Sequence, residues 1–202
     1  MAVAGISNRV EALPIQAIHT LNWSPRDEAR YLLCIAVQEP HKNLVRLVEA
    51  WSRADTQDFM LVICGRPGEE TKSLLDAVSS SMKADSIKVT SGLSDDEYLD
   101  LLNGCWGYIQ PSLYEGLCIP ALDVAAAGVP SAVSTSGNLG NIYLNTPKHQ
   151  VFDALSVPEM ACSIESLLHD ADFRRQASQW NLTNVKVTDW REVASVALAG
   201  MQ

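Results

Sequence analysis

Two carboxylates, Glu115 and Asp123, stand with seven residues between them in the stretch YIQPSLYEGLCIPALDVAAAGVPSAV (108–133). Tyr108-Ile109-Gln110 reads as a buried strand, stopped by Pro111, which has no N–H to give a ladder. Glu115 then falls in the loop at that strand's carboxyl end, the edge where open α/β sheets bind ligands. Pro120 starts a helix, where its missing N–H costs nothing, and Asp123 falls in the first turn, favourable against the helix dipole. The unpaired N–H groups of such a helix start make a ready anion site. A second loop, QEPHKN (38–43), carries Lys42. Its flexible ammonium near a helix start adds a positive point charge to an anion site of this kind.

Those side chains need a sheet to hold them, and the rest of the chain supplies one. Tyr31–Val37 and Phe59–Cys64 are continuous apolar runs of strand length, as expected of parallel strands covered on both faces. Leu44, Leu47, Val48 and Trp51 recur at i, i+3, i+4 and i+7, predicting a helix with one buried face. Leu74, Leu75, Val78 and Met82 predict a second helical face, and Ile87–Thr90 a short strand ending at Ser91-Gly92-Leu93. Ser94 with Glu97, and Ser156 with Glu159, read as capping boxes that open helices. The first of these helices buries Tyr98, Leu101 and Leu102 and ends at Gly104. The second runs through Ile164, Leu167 and Leu168. In the central stretch, Ala125-Ala126-Ala127 lets the helix lie close to the sheet, and Gly128 with Pro130 ends it. Ser131–Ser134 reads as a strand, 135–149 as an irregular loop, and Val151–Asp153 as a last short strand. Toward the ends, Asn8–Ile15 reads as a short strand closed by Pro14, Ser24-Pro25 with Asp27 and Glu28 as a capped turn, and Asp189–Glu192 as a final cap. Strands alternating with helices of this length mean an α/β fold with a doubly wound parallel sheet. The chain divides into an entry segment, 1–24, and one Rossmann-like domain, 25–202.

Composition narrows the partners. The 202 residues are 47% hydrophobic and 19% charged, with a formal net charge of −9. That balance argues against a nucleic-acid or anionic-membrane surface, which needs clustered Lys and Arg. Five cysteines (34, 64, 105, 118 and 162) are scattered with no CxxC pair, the pattern of reduced thiols. No run approaches the ~18 apolar residues of a membrane span, and the first twenty residues lack a signal-peptide core. These features predict a cytoplasmic protein. Asp95-Asp96 belongs to the capping box rather than to a metal site, and Asn181-Leu182-Thr183 is a formal sequon without meaning in that compartment.

The residues of the central stretch go beyond periodicity. PSLYEGLCIPALDVAAAGVP closely resembles the signature of retaining, nucleotide-sugar-dependent glycosyltransferases of the GT-B fold (glycosyltransferase family four), roughly P-S-x-Y-E-G-F-G-L-P-x-L-E-A-M-A-x-G-x-P. Pro111, Ser112, Tyr114, Glu115, Gly116, Pro120, Leu122, Gly128 and Pro130 fall in register. EPHKN resembles the family's E-P-R-K-N. The resemblance runs over about residues 8 to 199 and implies the C-terminal, donor-binding half of such an enzyme. By it, Lys42 contacts the donor diphosphate, with His41 where the family carries arginine. Glu115 faces the donor sugar near the anomeric carbon, the candidate catalytic group. Gly116, Leu117, Cys118 and Ile119 offer backbone N–H groups to the diphosphate. Asp123 takes the ribose hydroxyls, and Gly92 and Leu93 line the nucleobase. Asp123 also reads as a plain helix acid, and Gly92-Leu93 as a plain strand-to-helix turn.

The implied reaction moves a hexose from a UDP- or GDP-linked donor to a glycan or lipid-linked acceptor, with no cofactor and no metal. It needs an N-terminal acceptor domain or partner chain, and that remainder of the enzyme is the part that would meet the inner face of a membrane. The sequence departs from the family at Val37, where many members carry a second cation, and at Cys118, where glycine is usual. It departs again at Asp123, shorter than the usual Glu, and at Gly140-Asn141 in place of Pro-Glu. These departures keep open an alternative: a non-catalytic half-domain serving assembly or regulation.

Overall fold

The computed structural model describes Trp23 and residues 30–185. The strand expected at 8–15, the turn at 24–28 and the cap at 189–192 lie outside those residues. Within them the order is β1 (Tyr31–Ile35), α1 (Leu44–Arg53), β2 (Met60–Cys64), α2 (Thr71–Ser80), β3 (Ile87–Thr90), α3 (Asp95–Gly104) and β4 (Gly107–Gln110). There follow α4 (Ile119–Ala126), β5 (Ser131–Ser134), α5 (Leu139–Ile142), β6 (Val151–Phe152), α6 (Val157–His169) and α7 (Ala171–Asn184). Short 3-10 turns at Pro40–Lys42 and Ala84–Ser86 precede α1 and β3.

The six strands form one sheet in the order β3-β2-β1-β4-β5-β6, and every pairing is parallel. The chain winds outward from β1 to β3, then returns to place β4 on the other side of β1. The strand order therefore reverses between β1 and β4. The loops after those two strands diverge there and leave a crevice at the carboxyl edge.

The period of two along each strand sorts the core into two layers. Leu32 and Cys34 of β1 face one way, with Leu61 and Ile63 of β2, onto Leu44, Leu47 and Trp51 of α1 and Ile164 and Leu167 of α6. Leu33 and Ile35 face the other way, with Val62 and Tyr108, onto Tyr98 and Leu102 of α3 and Ala121, Val124 and Ala125 of α4. Each fully buried Leu or Val contributes about 1.5–3 kcal/mol relative to exposure. Small residues on α4 let its backbone settle on the sheet. It ends in a Schellman turn, with Gly128 at φ +76, the Val129 N–H on Val124 C=O (2.9 Å) and the Gly128 N–H on Ala125 C=O (3.0 Å).

Several expectations change. In α2 only Leu74 is buried; Leu75 is half exposed and Met82 lies beyond the helix in solvent. That helix packs at the margin of the sheet, so one apolar row suffices. The stretch 135–149 contains the four-residue helix α5, seated by buried Leu139. Ser94 and Glu97 close a reciprocal capping box. Ser156 accepts from the Glu159 N–H (3.3 Å), but the Glu159 carboxylate takes the Asp153 N–H (3.0 Å), so that box is only half made. Helix α7 had no clear periodic signal: its capping residue is Asp170, which accepts from Phe173 N–H (2.8 Å), and only Phe173, Ala177 and Asn181 are buried. Asn181, within the sequon, is fully buried and hydrogen-bonded to Val129 C=O and Ser131. Trp23 lies against the α3–α4 layer and donates to Cys105 C=O (2.9 Å).

Candidate functional site

The loops after β1 and β4 are tied together by backbone and side chain. Asn43 sits in the left-handed region (φ 60), which an asparagine tolerates better than most residues. From there its buried amide donates to Pro111 C=O (2.9 Å) and Ala154 C=O (2.8 Å), joining the loops after β1, β4 and β6. Leu113 N–H adds a bond to His41 C=O (2.8 Å). This frame brings Lys42 and Glu115 together across the switch point.

Lys42 Nζ lies 2.6 Å from Glu115 Oε1, with side chains 15% and 8% exposed. The same oxygen accepts from Ser112 Oγ at 2.7 Å. Glu115 is thus a buried, paired carboxylate at the mouth of the crevice rather than an acid on a solvated loop. Its backbone is fixed as well: Asn138 N–H donates to Glu115 C=O (3.0 Å). Gly137 packs so closely that a Cβ there would stand 2.5 Å from that carbonyl oxygen.

Of the N–H stretch, Gly116 and Leu117 are exposed, Ile119 is half-buried and Cys118 is buried. Cys118 is the N-cap of α4, at φ 52 and ψ 66. Left-handed backbone is the reason a glycine suits this position, and a side chain here is strained. Burial first, and then the Glu115 charge, push the Cys118 thiol up to about 12, so it is a neutral group and not a nucleophile at ordinary pH. At the start of α4 Pro120 carries no N–H, and the Ala121 and Leu122 N–H groups donate to Cys118 C=O (2.9 and 3.2 Å), so the Ile119 N–H is the helix-start donor left without an intrahelical acceptor.

The helix begins at Ile119, so Asp123 lies past the first turn, and the expectation of a first-turn acid is corrected. Asp123 is instead buried and accepts from the Tyr98 hydroxyl of α3 at 3.0 Å. Gly92, at φ +71 with open space around it, and half-buried Leu93 precede α3 on the loop after β3. They are linked to the central loops through Tyr98 and Asp123, two strands away from β1. His41 is exposed, and Val37 is half-buried. Asn141 is exposed and bonds only locally, to Asn138 Oδ1 (3.3 Å).

Sequence reasoning missed Gln110, the Gly137-Asn138 brace and the clamping role of Asn43. A glutamine inside a strand buried on both faces was the available signal. Among the described residues, no group of three or more His, Cys, Asp or Glu is arranged to hold a metal ion. None of their helices is long and apolar enough to cross a membrane. An open concavity of about 640 Å³, lined by Asp55, His149, Cys162, Glu165, His169 and Asp172, lies at the opposite, amino edge of the sheet.

A doubly wound parallel sheet with an ammonium, a carboxylate and a helix start converging at its switch point defines a class, the Rossmann-like ligand-binding domains. The profile described as "Glycosyl transferases group 1" matches residues 22–181, and the chain belongs to that family. It is 26% identical over 183 residues to O-antigen chain mannosyltransferase B of Escherichia coli, covering 89% of this chain and 46% of the relative. It is 26% identical over 190 residues to MMP alpha-(1->4)-mannosyltransferase of Mycolicibacterium hassiacum, covering 90% and 46%. The chain thus spans about half the length of these relatives. The crystal structure of the C-terminal domain of a glycosyl transferase group 1 family protein (LpcC) from Francisella tularensis has the same fold. Its TM-score is 0.70 at 16% identity, over 83% of this chain and 95% of that one.

Proposed function

We propose that this chain is the C-terminal, donor-binding half of a retaining glycosyltransferase that takes a hexose from a UDP- or GDP-linked donor. The observation that carries the reading is the Lys42–Glu115 pair across the β1/β4 switch point, beside the start of α4. Lys42 and the N–H groups of 116–119 receive the diphosphate, an anion that suits both an ammonium and a helix start. Diphosphate binding draws Lys42 from Glu115 and leaves that carboxylate facing the sugar. There its charge stabilises an oxocarbenium-like transition state. Asp123, oriented by Tyr98, takes the ribose hydroxyls, and the Gly92-Leu93 loop lies against the base. His41, exposed beside Lys42, offers a ring N–H to the phosphates. A glycan or lipid-linked acceptor is held by the other half of the enzyme, whose closure excludes water from the crevice. Both relatives described above are named as mannosyltransferases, which supports a hexose donor.

The test is protection from unfolding. A nucleotide diphosphate at about 100 times its Kd raises unfolding free energy by about 2.7 kcal/mol, and a tenfold weaker Lys42→Ala variant loses at least about half of that gain. A melting curve unmoved by millimolar UDP, GDP, UDP-glucose and GDP-mannose contradicts the reading. It would favour the second one, a half-domain for assembly, to which the strained Cys118 N-cap also points.

A further inference from the structure

Strand β4 lies in the middle of the sheet, where both faces are covered and apolar residues are expected. Its α4-facing side instead carries Tyr108 and Gln110, continued past the strand end by Ser112, all fully buried. Residues two apart share a face, so the three side chains form a row toward the crevice. The Tyr108 hydroxyl donates to Gln110 Oε1. Gln110 Nε2 donates to Ser112 Oγ at 2.7 Å, and Ser112 Oγ donates to Glu115 Oε1 at 2.7 Å. Each group has a single consistent role in this order. The phenol, whose ionisation burial opposes, is a donor and holds the amide oxygen. The amide nitrogen, a donor only, occupies a lone pair of the serine. The serine hydrogen is therefore committed to the carboxylate. If the glutamine amide were reversed, Ser112 would have to donate to it and could not also donate to Glu115.

We infer that Tyr108, Gln110 and Ser112 are a positioning relay that holds the Glu115 carboxylate toward the donor sugar when a diphosphate takes Lys42 away. The inference rests on the reading of Glu115 as the sugar-facing group. Glu115 Oε1 has two donors, Lys42 and Ser112. Lys42 is carried by a loop and has a long, rotatable stem, so it can leave. The relay hangs on the backbone of β4 and stays. Buried polar groups in such a row are stable only while every member is satisfied, and the order of donors gives the row one geometry. Asp123 is anchored separately, through Tyr98, so relay variants act on the sugar and not on the nucleoside.

The experiment compares, by calorimetry on the whole chain, Kd for GDP against GDP-mannose and for UDP against UDP-glucose. The sugar increment is the ratio within each pair. Gln110→Leu and Ser112→Ala are expected to lower the increment by about tenfold, the scale of one hydrogen bond to a charged group; any change in Kd for the bare nucleotide divides out of the ratio. Ser112→Thr, which keeps the hydroxyl, restores it. Gln110→Leu combined with Glu115→Gln loses no more than Glu115→Gln alone, because the relay acts through that carboxylate. Unfolding midpoints identify any variant that fails to fold, and Ser112→Ala then decides in place of Gln110→Leu. A wild-type increment that both relay variants retain overturns the relay alone. Bare nucleotide binding with no sugar increment in the wild type overturns the sugar-facing reading of Glu115, and the relay with it.

Discussion

At the scale of single residues, the site is built from groups that are awkward alone and stable together. Glu115 is buried, and Lys42 and Ser112 both converge on one of its oxygens. Removing one partner of a buried pair leaves an uncompensated charge, a change worth about 3 kcal/mol. Lys42→Ala should therefore lower unfolding free energy in denaturant titrations as well as weaken nucleotide binding. Lys42→Ala with Glu115→Gln should recover most of the stability and none of the binding. Cys118 carries the second awkwardness, a side chain at φ 52. Comparing Cys118→Gly with Cys118→Ala isolates the backbone effect, since both lose the thiol. The glycine variant should be the more stable by about 1 kcal/mol in urea unfolding. Equal stabilities would mean that the left-handed N-cap is not maintained in solution.

At the scale of elements, the crevice is a product of connection order. Asn43 ties the loops after β1, β4 and β6 with two buried hydrogen bonds. Asn43→Ala removes both and also places alanine in left-handed backbone, so a loss of about 2–3 kcal/mol is expected by urea unfolding. A loss under about 0.5 kcal/mol would contradict the clamp. The elements that place the site were largely legible in the sequence. Apolar runs marked β1 and β2, the i, i+3, i+4, i+7 row marked α1, and the serine–glutamate pair marked the start of α3. Helix α7 was not legible, because its core contact is made by three side chains in a polar sequence. Leu75 and Met82 misled for the opposite reason: α2 packs at the sheet margin, and periodicity alone does not say how much of an apolar face is covered. At the site, the nearness of Lys42 and Glu115 followed from strand order, which is a tertiary fact. The burial of Asp123 against Tyr98 depended on where α4 begins, and a cysteine N-cap gives no familiar signal for that.

At the scale of the whole molecule, two apolar layers flank one parallel sheet, and the cysteines inside them report on its integrity. Cys34, Cys105 and Cys118 are all raised by burial, Cys118 to about 12. In the unfolded chain a thiol ionises near its ordinary value of about 8.5. A folded value above the unfolded one stabilises the fold fully below the unfolded pKa and loses that contribution as pH rises past it. Stability should accordingly fall on the alkaline side from about pH 9, by up to about 1.4 kcal/mol per pH unit for each thiol. Replacing the three with serine or alanine should flatten the slope. Exposed Cys162 should be alkylated first at neutral pH, and the buried thiols only with unfolding. The fold belongs to the group 1 glycosyl transferases over most of its length, while spanning about half of its relatives. The function proposed for it turns on one ligand class, nucleoside diphosphates, at one crevice. Calorimetric titration of the wild-type chain and of Lys42→Ala with UDP and GDP tests it most directly. A single-site isotherm is expected with one of the two nucleotides, weakened about tenfold or more by Lys42→Ala. No heat with either nucleotide at millimolar concentration, or equal affinity in the two proteins, would contradict it.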